Sequence, residues 1–171
     1  YSVRVGSSEL EDFSIEKSFV LNSSNPYVVI EANAAGHQQA LAVPVVKQNP
    51  QLPHGCEITS LTAVLNYYGA DVDKMTMTTS YLPKEPFKTV NGKKYGPDPN
   101  VAYAGNPSEN HGTYSFAAPI VKAAENYIEK AEMDLQAKNI SGSTIDEIEL
   151  HLELGIPVIT WVTLDLSKPR T

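Results

Sequence analysis

A chain of 171 residues with 42% apolar side chains fits one domain of ordinary size plus a small appendage, and can bury a core. A net charge of −7 argues against nucleic acid as a partner, since that needs a basic patch, and the apolar runs are too short to span a membrane. One cysteine excludes an internal disulfide and a cysteine-based zinc site, and His37, His54, His111 and His151 fall at no metal-ligand spacing, so no cofactor or metal is expected.

The chain begins at Tyr1 with no basic-then-apolar leader, which reads as an N-terminus processed or cut by design and is compatible with the loss of an export signal. Residues 1–40 read as a β-rich N-terminal extension or hairpin. "YSVRV" alternates, "KSFVLNSSNPYVVIEAN" reads as two strands around an Asn-Ser-Ser-Asn-Pro turn, and "NAAGHQQ" is a turn or linker. Residues 41–171 form the main domain. A short apolar run, Leu41 to Val46, leads into a loop set by Pro50 and Pro53 that ends at Gly55 and Cys56. Helix follows. Ile58, Leu61, Leu65 and Tyr68 share one face, and Gly69 stands where a glycine stops a helix.

"DVDKMTMTTSYLP" predicts a second short helix, ended before Pro83. Residues 83–113 carry five prolines and four glycines with little periodicity. Phe87, Tyr95 and Tyr103 mark an ordered excursion, read either as a lid or groove wall or as a packing insert. Helix returns in "TYSFAAPIVKAAENYIEKA", with Pro119 in the first turn and Ile120, Ala123, Ala124, Tyr127 and Ile128 on one face. Thr144 and Glu147 make a capping box, Ile145, Ile148 and Leu152 the apolar side of a short helix, and Gly155 its stop. "VITWV" predicts a buried strand with Trp161 in the core, opening an antiparallel sheet.

The lone Cys56 has two readings. A free cysteine is commonly a small buried hydrophobe. At a helix N-terminus, though, unpaired backbone N–H groups and the positive end of the macrodipole favour the thiolate, the attacking form. Gly55 leaves room for a substrate backbone. The N–H of Cys56 and the side-chain amide of Gln48 or Gln51 are candidate oxyanion donors. Glu57 reads as a structural acid in the first helical turn, Tyr67 and Tyr68 as core and cap. A general base is not evident. His54 points away on local geometry, His37 and His111 lie in loops, and His151 lies between acids.

The segment "LPHGCEITSLTAVLNYYG" resembles the active-site segment of papain-like cysteine peptidases, in the stand-alone bacterial branch of the bacteriocin-leader (double-glycine) peptidase-like family. "VDKMTMTTSYLPKEPF", "GPDPNVAYAGNP", "YSFAAPIVKAAENYI" and "GIPVITWVT" resemble that branch in the same order, over about Val43 to Thr163. The resemblance implies an α+β papain-like fold, a helical half followed by an antiparallel sheet that is incomplete in this chain. It implies Cys56 as nucleophile and Gln48 as oxyanion-hole glutamine, with Gln51 nearer in sequence. It also implies a peptide or protein substrate and an exported or cell-surface location. The family's catalytic histidine and its Asp or Asn partner match no residue here and are expected beyond Thr171. The alternative is a catalytically inactive peptide-binding homologue of the same fold.

Overall fold

The computed structural model describes residues 2–6, 14–18, 40–110 and 112–163. Contacts divide the chain into two units, Tyr1–Leu41 and Ala42–Thr171. In the first, β1 (Ser2–Gly6) pairs antiparallel with β2 (Ser14–Ser18), from Ser2 opposite Ser18 to Gly6 opposite Ser14. The strand pair predicted over 17–33 and the linker after it lie, apart from Lys17 and Ser18, outside the described residues.

The second unit is built around α1 (Cys56–Tyr67) and α3 (Ala117–Lys130), which pack together. Ile58, Leu61 and Leu65 of α1 meet Ile120, Ala123 and Ala124 of α3 in one cluster completed by Leu52, Val72, Met77, Leu82 and Tyr103. Both apolar faces are those read from the spacing except at Tyr68, which caps the end of α1 and is exposed, and each large aliphatic side chain buried there contributes about 1.5–3 kcal/mol. Gly69, with φ +84°, ends α1 as predicted. Beyond it the Asn66 side chain closes the turn, donating to Val72 O and accepting from Val72 N, both at 2.9 Å.

The second predicted helix is α2 (Lys74–Thr76) running directly into a π-helical turn (Met77–Tyr81). Asp73 caps it, accepting from Met75 N and Thr76 N at 2.8 and 3.0 Å. Lys74 Nζ donates to the carbonyls of Lys47 and Gln48, and so ties this element to the segment that approaches Cys56.

Apart from position 111, which lies outside the described residues, the excursion 83–113 is structured, as its aromatics suggested. β3 (Lys84–Glu85) pairs parallel with β6 (Tyr103–Ala104), and β4 (Lys88–Val90) with β5 (Lys93–Tyr95) forms an exposed antiparallel hairpin.

α4 (Ile145–Glu153) starts on the predicted capping box. Glu147 N donates to Thr144 Oγ1 at 3.3 Å, and Thr144 N to Glu147 Oε2 at 2.8 Å. The strand expected in "VITWV" does not form among the described residues. Residues 157–163 carry no strand assignment, Trp161 is 42% exposed and Val162 71%. A β-branched run becomes a buried strand only when neighbours supply ladder bonds and cover both faces; among the described residues no strand pairs with it, and only Ile159 packs against the core.

Candidate functional site

Cys56 is the first residue of α1 and is exposed. Two elements hold it there. The loop before it folds back on itself through Leu52 N to Gln48 O (3.2 Å) and Gly55 N to Leu52 O (3.1 Å). The 83–113 excursion clamps the same loop from outside, with His54 N donating to Pro107 O at 3.1 Å and the buried Tyr103 hydroxyl to His54 O at 2.5 Å. Of the two readings of that excursion, packing insert describes this part of it.

Gly55 has a different role from the one expected. It is buried, and a Cβ on it would lie 2.8 Å from Leu52 Cβ and 3.2 Å from Pro107 Cβ. The absent side chain makes room for the protein's own loop, not for a substrate backbone. Gly55 is also the N-cap of α1, so no side chain bonds the first amides of the helix.

Glu57 was read as a structural acid, and it does more. It is only 5% exposed and turns back toward the nucleophile candidate. Cys56 Sγ donates to Glu57 Oε2 at 3.2 Å, while Ser115 N donates to Glu57 Oε1 at 3.1 Å. Ser115 O in turn accepts from Trp161 Nε1 at 3.0 Å. The chain of contacts Cys56–Glu57–Ser115–Trp161 thus joins the tip of α1 to the segment after α4. The Ser115 hydroxyl is buried without a hydrogen-bond partner among the described residues.

Electrostatics follow from this geometry. Partial burial, then the Glu57 charge, then the S–H bond to Glu57 push the Cys56 thiol up to about 11. The helix terminus acts the other way, but a terminus is worth about 0.3–1 kcal/mol, less than one pKa unit of 1.36 kcal/mol. So the expected thiolate is a thiol in this arrangement. Burial, with the Glu57 and Cys56 charges after it, also drives the Tyr103 phenol well above its ordinary range.

The other expected site residues are placed as follows. Gln48 Nε2 donates to Pro53 O at 2.9 Å, three residues ahead of Cys56. Gln51 is exposed. His151 sits on α4 with Nδ1 2.6 Å from Glu147 O. The Cys56 sulfur bonds to a carboxylate, not an imidazole. His37 and His111 lie outside the described residues. Among the described residues no three His, Cys, Asp or Glu side chains gather as a metal site would require, and no helix is long and apolar enough to cross a membrane. Beside the site, Leu61, Leu65, Ile120, Ile148, Ile156 and Trp161 line a cavity of about 500 Å3.

Two participants were missed in the sequence, and each left a signal there. Glu57 stands at i, i+4 and i+8 with Leu61 and Leu65, on the inward face. Ser115 lies between Tyr114 and Phe116, and in an extended segment two outward aromatics turn the middle residue inward.

A helical half with a cysteine at the tip of its central helix, and small sheets beside it, is an α+β chain of the papain-like fold. The chain belongs to the Peptidase_C39-like family, whose sequence model matches residues 40–170. It is similar to the uncharacterized protein YvpB of Bacillus subtilis strain 168, with 36% identity over 113 residues, 66% of this chain and 41% of that protein. It is also similar to a crystal structure from Bacillus anthracis assigned to the C39-like peptidases, at TM-score 0.57 and 27% identity, over 70% of this chain and 57% of the other. The matched region thus spans less than two thirds of either relative.

Proposed function

We propose that the protein is a cysteine peptidase in which Cys56 attacks the carbonyl carbon of a peptide or amide bond. The observation that carries this reading is the position of Cys56, an exposed thiol on the first turn of a 12-residue helix that no side chain caps. The thiolate adds to the carbonyl, the C–N bond breaks and the amine leaves with a proton. Water then hydrolyses the thioester, releasing the acid and restoring the thiol. The Cys56 N–H and the Gln48 amide are the oxyanion donors in this reading. A side-chain amide has two hydrogens, and Gln48 gives one to Pro53 O, leaving one to offer. Because the thiol is protonated in this arrangement, the reaction requires a general base that takes the S–H proton and then gives it to the leaving amine. In this reading that base is a histidine, as the family resemblance implies.

The test uses the full-length protein and a mixed pool of peptides, with new termini read by mass spectrometry. Cleavage is expected from the wild type, falling by about 10^4-fold or more in Cys56→Ala. Cleavage that survives in Cys56→Ala places the nucleophile elsewhere. A wild type that binds the pool and cuts nothing leaves the peptide-binding homologue instead.

A further inference from the structure

A carboxylate buried beside a nucleophilic thiol is costly unless its oxygens are satisfied, and a salt-bridge partner is the usual solution. Glu57 has a different one. One oxygen takes the Ser115 N–H at 3.1 Å and the other the Cys56 S–H at 3.2 Å. The carboxylate is thereby fixed by a backbone group 58 residues away, and the sulfur is fixed by the carboxylate. We propose that Glu57 is a positioning residue that locks Cys56 in one orientation and in its protonated form, a latch that opens when a base takes the S–H proton. The proposal deepens the reading of Cys56 as nucleophile.

The physical consequence is twofold. An exposed thiol that stays protonated resists alkylation and oxidation, because the thiolate is the reactive species. Once ionised beside the carboxylate, the same sulfur is more nucleophilic, since attacking power rises with thiol basicity. Among the described residues, the groups that face the pair are few. On α1 they are Cys56 and Glu57 themselves, and on β6 the Tyr103 phenol, which both of them influence. Ser115 and Trp161, on the other packed segments, carry no titrating group.

Glu57→Gln keeps the shape and an acceptor oxygen and removes the charge. Without a negative charge at the sulfur the thiolate is less disfavoured, so the midpoint of Cys56 alkylation by iodoacetamide moves down. Burial remains in the variant, and the midpoint is expected to fall from about 11 in the wild type by about one pH unit. At pH 8 that gives about tenfold more thiolate, reduced roughly threefold by its lower nucleophilicity, for a net gain of about three- to fourfold in labelling rate. A folded Glu57→Gln chain with the wild-type midpoint overturns the proposal, since a merely structural acid would change the melting temperature and leave the midpoint alone.

A second measurement needs no variant. The single cysteine makes the infrared S–H band a one-site reporter. In the native chain it is expected below its position in the same chain unfolded in urea, and to persist well above pH 8.5. A band at the unfolded position, or one lost near pH 8.5, overturns the latch. Neither experiment involves a peptide, so failure here and failure of the peptidase reading are told apart.

Discussion

The two ends of the second unit obey the same local rules and reach different states. α1 and α4 are both amphipathic helices that stop at a positive-φ glycine soon after their last turn, Gly69 and Gly155. α4 even has the better start, with a complete capping box where α1 has a bare Gly55. Yet Ile58 at the start of α1 is 1% exposed and Ile145 at the start of α4 is 73% exposed. Caps and periodicity decide that a helix forms and where its apolar side lies. Whether that side is buried depends on what packs against it, and α3 does this for α1.

The contrast can be broken most directly by truncating the two isoleucines. Ile58→Ala should cost about 2–5 kcal/mol, and Ile145→Ala should stay within about 0.5 kcal/mol, in urea unfolding of the same chain. Equal costs would mean that α4 has a buried partner in solution.

Gly55→Ala sharpens the comparison at the helix starts. Its φ of −113° is open to alanine, so the cost comes from the 2.8 Å approach to Leu52 and is expected at about 1–3 kcal/mol. No loss of stability, with slower labelling of Cys56, would restore the view that the glycine leaves space for an incoming chain. The smallest effect belongs to the exposed cap. Thr144→Ala should remove about 1 kcal/mol, visible as a loss of helical ellipticity on warming, and Thr144→Ser should recover most of it.

The sequence by itself determined the pieces that depend on neighbours along the chain. Gly69 and Gly155 stop helices because a left-handed residue is cheap only for glycine. Thr144 and Glu147 close on each other across three residues, and the α1 and α3 stripes follow from 3.6-residue spacing. The position of Cys56 at a helix start was legible for the same reason.

Only the tertiary structure decided the chemistry around it. Glu57 turns toward the sulfur because Ser115, 58 residues on, offers its other oxygen an N–H. Gly55 is filled by Leu52 and Pro107, and His54 is held by a phenol 49 residues away. "VITWV" has every mark of a buried strand, yet among the described residues it pairs with no strand and leaves Trp161 and Val162 exposed, since a strand gains its burial and its hydrogen bonds from other strands. Spacing along a chain fixes local geometry. The ionisation of a thiol is set by the charges and burial around it, and those come from residues the spacing does not relate.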